Sequence, residues 1–370
     1  MKCKLWKEVR VNDVVSEKST RVSDPSKSSY EKFIGLEHFN AGRLEICRFG
    51  TTNNLGSSMK ICQSGDTLIA RRNVYLKRAS VSNEDALCSG DAIVLKEKEL
   101  VISGFLPILF NSDSFWVYAL SNADGTMSKR LNVAHLMKYR FLLPPQSEQK
   151  QIVKVVWDLE KLIHTLNDKN SLLDEMIKSR FIEMFGTVNN NQNEYSVVTI
   201  ESCCEILDSQ RIPITSTDRE PGPYPYYGAN GVQDFVKDYL FDDNLVLLAE
   251  DGGHFNEIGK VAYSVSGKCW INNHAHVLKP HNDLNIEYLE NALNFTDLSS
   301  EVNGTTRQKL TQASMRKIKI LGPPIKLQNQ FADFVKQVDK SKFELRQQIE
   351  NTIVLQKTII NKVVRGLSNV

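Results

Sequence analysis

The chain repeats itself at long range, and that repeat limits the possible folds more than any other feature. Gly125-Thr126-Met127-Ser128-Lys129-Arg130-Leu131 is followed by Leu142-Leu143-Pro144-Pro145 and a long run without proline. Gly304-Thr305-Thr306-Arg307-Gln308-Lys309-Leu310 is followed by Leu321-Gly322-Pro323-Pro324 and a second such run. Gly125 to Gly304 and Pro144 to Pro323 are both offset by 179 residues, so two copies fill most of the 370-residue chain. A period this long is a tandem duplication of a whole unit, not a solenoid.

Each proline-free run predicts one long helix, because proline is tolerated in a first helical turn and excluded from the interior. In the first run Ile152, Leu159, Leu166 and Leu173 recur every seven residues. Val156, Ile163, Asn170, Ile177 and Met184 form the second series, giving the 4-3 spacing of a coiled-coil seam. The second run offers Phe331, Val338, Leu345, Thr352 and Ile359 with Val335, Lys342, Ile349, Gln356 and Val363, a seam interrupted by Lys342 and Gln356. Roughly 40 residues rising about 1.5 Å each make a rod of about 60 Å. Antiparallel packing would bury both seams and relate the two copies by a pseudo-twofold axis.

The duplication continues outside the helices. Leu68-Ile69-Ala70-Arg71 maps onto Leu247-Leu248-Ala249-Glu250 at the same offset, and Ser89 to Lys96 maps onto Asn272 to Lys279 at 183. The strand frames match while their flanks differ: Arg71-Arg72-Asn73 faces Glu250-Asp251-Gly252. Short β-rich segments separated by Gly, Asn and Ser turns make each copy an α+β unit. The expected division is 1–141 globular, 142–186 helical, 187–320 globular and 321–370 helical, with Asn189 to Asn193 as a polar boundary.

Composition excludes little. Lys plus Arg is 46 and Asp plus Glu is 44, so the net charge of +2 does not demand a polyanion, although local basic patches remain possible. Seven scattered cysteines without a C-x-x-C spacing suit reduced thiols in the cytoplasm. The N-terminus has no signal-peptide run, and the most apolar stretch, 101–110, is too short to span a membrane.

Binding chemistry concentrates beside the strands. Arg71, Arg72, Asn73, Tyr75 and Lys77 combine residues that clamp guanine, adenine and phosphate. A solvated basic loop is the plain alternative. Tyr226, Tyr227 and Asn230 lie in a Pro/Gly-braced segment, and Lys268, Asn272, Asn273 and His274 form a polar cluster near Trp270. The Gly-Thr turns carry Ser128, Lys129 and Arg130 in one copy and Thr306, Arg307, Gln308 and Lys309 in the other. No metal is expected, since Cys269, His274 and His276 have no second ligand pair. No catalytic residue is expected either. The Gly253 to Gly259-Lys260 stretch has five residues between glycines instead of four, with Val261 where a phosphate loop needs Ser or Thr. Neither Pro-Pro pair has the flanks of an adenine methyltransferase motif.

In this order, twice, these features resemble the specificity subunit of type I restriction-modification systems. The likeness is carried by Ala70-Arg71-Arg72-Asn73-Val74-Tyr75-Leu76, Pro225 to Gly231, Trp270 to Lys279, the Gly-Thr turns and the Pro-Pro helices, and it covers essentially the whole chain. It implies two β-rich target-recognition domains, each reading half of a split sequence in double-stranded DNA. They would be joined by two helices packed as an antiparallel coiled coil that docks two adenine methyltransferase subunits, with a restriction/translocase subunit in the full assembly. It also implies no catalysis by this chain, with AdoMet, ATP and magnesium held by the partners. The helices would then set the gap between half-sites. Glu250-Asp251, standing where the other copy has Arg71-Arg72, departs from a shared role. Two other readings compete: a coiled-coil adaptor whose β-rich domains bind something other than DNA, and a nuclease with an unrecognised site. DNA retention and cleavage with magnesium alone distinguish them.

Overall fold

A computed structural model describes residues 6–53, 55–253, 255, 261–304 and 308–365. The chain divides into two compact units, 1–168 with 346–370 and 169–345. The two long helices, Gln146–Phe185 and Ile325–Val364, are 40 residues each and contribute to both units.

In the first unit, Lys7–Arg10 pairs antiparallel with Arg140–Leu143, the strand that ends at the first Pro-Pro. A four-stranded sheet runs in the order Val15–Lys18, Ala92–Glu97, Thr67–Ala70, Ala79–Val81. Its central strands are buried on both faces, and their period of two sorts them between two cores. Ile69, Ile93 and Leu95 pack with Phe105, Phe115, Trp116 and the first long helix. Leu68, Ala70, Ala92 and Val94 face Ile34, Cys62 and Cys88 of a five-stranded sheet. Ser112 caps the helix Asp113–Ser121 by accepting from Phe115 N.

The second unit repeats the plan. Ser196–Thr199 pairs with Lys319–Gly322, again just before a Pro-Pro. A six-stranded sheet runs Cys204–Ile206, Ala275–Pro280, Phe241–Ala249, Ala262–Ile271, Pro221–Gly228, Gly231–Val236. Val246, Leu248 and Leu278 join the helical core, while Leu245, Leu247 and Val277 face the other. Asn285 caps the helix Ile286–Asn294.

Each Pro-Pro corner is locked by a glutamine that the seam pattern does not mark. Gln149 accepts from Ile102 N and donates to Leu100 O and Pro144 O. Gln328 accepts from Asn285 N and donates to Asp283 O and Pro323 O. Both are 1 % exposed, so each satisfies backbone groups that would otherwise be orphaned at a helix start.

Helix packing is antiparallel inside the second unit. Phe181 and Phe185 meet Phe331, while Asp174, earlier on the first helix, pairs with Lys342, later on the second. Ile177, Val335 and Val338 are buried there, and Leu173 and Leu345 are half-buried. In the first unit Ile152, Val156, Ile163, Leu166 and Val363 are buried, with Leu159, Ile349 and Ile359 half-buried and Ile360 fully packed. The two polar interruptions of the second seam have partners. Lys342 pairs with Asp174, and Gln356 donates to Val156 O and Glu160.

Candidate nucleic-acid interface

Both units build one loop frame on the same backbone bonds. In the first, Arg71 N donates to Asp91 O and Leu131 N donates to Arg71 O, with Arg72 bridged to Arg130. In the second, Glu250 N donates to His274 O and Leu310 N donates to Glu250 O, with Asp251 bridged to Lys309. The strand after the Gly-Thr turn is thereby stitched to the end of a core strand. On this frame the charges are placed in opposite ways.

In the first unit two arginines share one acid, and a third stands beside them. Arg130 pairs with Asp91 at 2.5 Å, and Arg72 lies 3.8 Å from the same carboxylate. Arg72 Nε also donates to Ser128 Oγ at 3.1 Å, and Ser128 donates to Asn73 Oδ1 at 2.9 Å. Asn73 and Lys77, with φ of 55° and 50°, bracket the turn Val74–Leu76 in left-handed backbone, which asparagine tolerates better than most residues. That turn pushes Tyr75 out to 54 % exposure, and Lys77 and Lys129 are exposed. Arg71 differs from its neighbours: among the described residues its guanidinium meets no hydrogen-bond or ion-pair partner, and its Nε is buried without one. An orphaned buried donor is costly unless a ligand satisfies it.

In the second unit the acids already have partners. Glu250 takes Arg211 at 2.8 Å and Lys309 at 3.0 Å. Burial pushes its carboxyl up, and the hydrogen bonds from Arg211 and Lys309 overcome that and hold it below its ordinary value. His274 Nδ1 sits 2.6 Å from Asp251 Oδ1. Beneath them, His276 is fully buried between Asp208 Oδ2 at 2.6 Å and Leu310 O at 2.9 Å. Asp208 also accepts from Val277 N and Gln312. Burial raises the Asp208 carboxyl, but these bonds, His276 first, bring it below the usual range. Asp208, Glu250 and His276 offer atoms within 4.8 Å of one another, yet the Arg211 guanidinium reaches both acids and takes the place a cation would occupy.

Two residues expected to face a ligand do not. Tyr226 is 1 % exposed: its ring lies under Arg219 at 4.2 Å, and its hydroxyl bonds Ile214 N and O. Asn272 is 3 % exposed, donates to Gln233 and accepts from His274 N. Strand alternation turns Tyr226 inward, and Asn272 is consumed by the turn it shapes. Tyr227 is half-buried against Tyr263. Asn230, Asn273 and Lys268 are exposed, with Asn230 donating to Gly252 O and Lys268 over Tyr239 at 4.5 Å. Gln308 is half-buried and Lys309 exposed; Thr306 and Arg307 fall outside the described residues. Asp208 and Arg211 were missed because nothing local distinguishes them; their partners are supplied by strands far along the chain.

The family profile of the type I restriction modification DNA specificity domain matches residues 4–174 and 192–355, one match to each copy. The chain belongs to that family. A curated Haemophilus influenzae protein named as a type I restriction enzyme specificity subunit is 36 % identical over 131 residues, 35 % of this chain and 34 % of that one. The match therefore spans about a third of the relative's length. Among solved structures, the S subunit of a type I restriction-modification system from M. genitalium is similar with a TM-score of 0.54 at 12 % identity, covering 97 % and 96 % of the two chains. A chain from a study of type I R-M complex assembly and conformational transition gives 0.51 at 18 % identity, covering 99 % of each. Both establish a shared fold of two domains joined by helices. Among the described residues no helix is long and apolar enough to cross a membrane.

Proposed function

We propose that this chain is the DNA-reading, non-catalytic subunit of a cytoplasmic type I restriction-modification complex, with one globular unit for each half of a split duplex target. The observation that carries this reading is the duplicated loop frame with exchanged charges. One backbone geometry presents an unpartnered Arg71 beside Arg72 and Arg130 in one unit, and a partnered Glu250-Asp251 edge with Lys309 and His274 in the other. A common scaffold with different edge chemistry suits two readers of two different sequences, because base edges differ in their donor and acceptor patterns.

The long helices support docking of two adenine methyltransferase subunits. Leu172, Phe343 and Val354 are 60 %, 63 % and 64 % exposed on these helices and would offer apolar contacts to such partners. AdoMet, and ATP with magnesium, belong on this reading to the methyltransferase and restriction/translocase partners. With a net charge of only +2, phosphate neutralisation by the chain alone is modest, so duplex binding is expected to be weak until the methyltransferase joins.

The test is methylome sequencing of a host expressing the chain with its methyltransferase, with and without Arg71→Ala. A split motif that relaxes in one half only supports the reading. Equal loss in both halves assigns Arg71 a structural role. Absence of DNA retention by the complex at moderate salt favours the adaptor alternative.

A further inference from the structure

Inside the first unit, the middle of the first long helix meets the loop that follows Leu44, and metal-ligating side chains converge there. His164 comes from the helix, and Glu45 and Cys47 come from the loop. Each offers one ligand atom, all within 4.8 Å of one another. Cys47 Sγ lies 3.7 Å from His164 Nε2. Tetrahedral zinc, with bonds of about 2.3 Å to sulfur and about 2.0–2.1 Å to nitrogen, sets its sulfur and nitrogen ligands about 3.6 Å apart. The pair therefore already stands at the separation a shared ion requires.

The backbone around the site is pinned. Ile46 N donates to Val81 O, Val81 N donates to Leu44 O, and Leu44 N donates to the buried carboxylate of Glu160. Glu160 also takes Arg43 at 3.2 Å and lies 3.7 Å from His164. One turn separates Glu160 from His164, so the loop carrying Cys47 is fixed against the helix face that presents the imidazole. Asn83 hydrogen-bonds one Glu45 oxygen, which orients that carboxylate. The Glu45 carboxylate and the buried Glu160 carboxylate flank the imidazole and the thiol, with Arg43 on Glu160.

We propose that Glu45, Cys47 and His164 form a zinc site, completed by water, that clips the globular part of this unit to its helix. Binding deprotonates Cys47, and the proton leaves to solvent as the Zn–S bond forms. A three-ligand site open to water is geometrically of the kind that keeps an exchangeable position. Because its ligands join the loop to the helix within this unit, it stands independently of the reading of its DNA function.

The full chain, stripped of metal, is titrated with Co²⁺ and then Zn²⁺. The expected result is one ion per chain, a thiolate-to-cobalt charge-transfer band bleached by zinc, and zinc protection of Cys47 from alkylation mapped by mass spectrometry. Cys47→Ser should abolish the band, and His164→Gln should weaken binding by more than about tenfold, the scale already reached by losing outer-shell partners. Cys269→Ser, a buried thiol in the other unit, should leave both unchanged. A cobalt spectrum without the sulfur band in the unmutated chain overturns the proposal regardless of how the variants fold. So does zinc binding that survives Cys47→Ser and His164→Gln undiminished.

Discussion

Gln356 donates from Nε2 to Glu160 Oε2 at 2.8 Å, and the two side chains are 2 % and 0 % exposed. A glutamine that reads as a flaw in an apolar seam is the partner of a carboxylate buried in the facing helix. Glu160 spends its other oxygen on Leu44 N and Arg43, so one side chain ties the first long helix to the second and to the globular part of the same unit. Polar pairs at core positions fix register at some cost in stability.

Glu160→Ala is expected to destabilise the chain by about 3–5 kcal/mol, since it strands Arg43, Leu44 N and Gln356 together. Gln356→Leu should cost less, and its combination with Glu160→Ala should recover part of the loss through a coupling of about 0.5–3 kcal/mol. Denaturant unfolding of the four chains measures it; strict additivity of the two losses would show the pair to be uncoupled.

Glu97 makes the first unit sensitive to pH. Burial pushes its carboxyl up to about 7, against hydrogen bonds from the backbone at Gly104 and Leu106, from an ordinary value of 4.5. Below 4.5 both folded and unfolded chains carry the neutral acid, and its contribution is fully present. Between 4.5 and 7 the unfolded chain releases the proton first, so this contribution falls as pH rises, and above 7 it is gone. Glu97→Gln should flatten the stability profile across that window and stabilise the chain at pH 8 relative to the parent. An unchanged slope in thermal melts between pH 5 and 8 would sink the assignment.

Arg71 and Arg72 should separate in their effects. On the proposed reading, in which Arg71 meets a base, losing its guanidinium costs about 1–3 kcal/mol of discrimination at one position. Arg71→Lys should not restore it, because an ammonium lacks the bidentate fork. Arg72→Ala instead frees Ser128 and Asp91 and should loosen the turn, lowering affinity without changing the motif. Motif analysis of the methylated genome, with binding measured on the same complexes, distinguishes the two.

His276→Phe should remove the ring nitrogens that meet Asp208 and Leu310 O and cost about 1–3 kcal/mol for groups left unsatisfied. Hydrogen exchange should speed up at Leu310 N, whose acceptor is Glu250 O, while the equivalent amide of the other unit, Leu131 N, stays protected. Equal acceleration at both amides would mean global destabilisation and no local role in holding the second edge.

The sequence by itself determined the duplication, the two helices and the equivalence of the two loop frames. These depend on period, proline stereochemistry and offset, all of which are local or covalent, so they survive without knowledge of contacts. Within the second unit, tertiary structure decided that the helices run antiparallel, through Phe331 against Phe181 and Phe185. It also decided which polar residues are spent. Arg72 and Arg130 are claimed by Asp91 while Arg71 is left over, and Tyr226 and Asn272 turn inward although their composition suits a binding edge. Glu160 finds Leu44 across 116 residues and Gln356 across 196. A side chain's role follows from whether its hydrogen-bonding capacity is satisfied, and the groups that satisfy it here come from elements that only folding brings together.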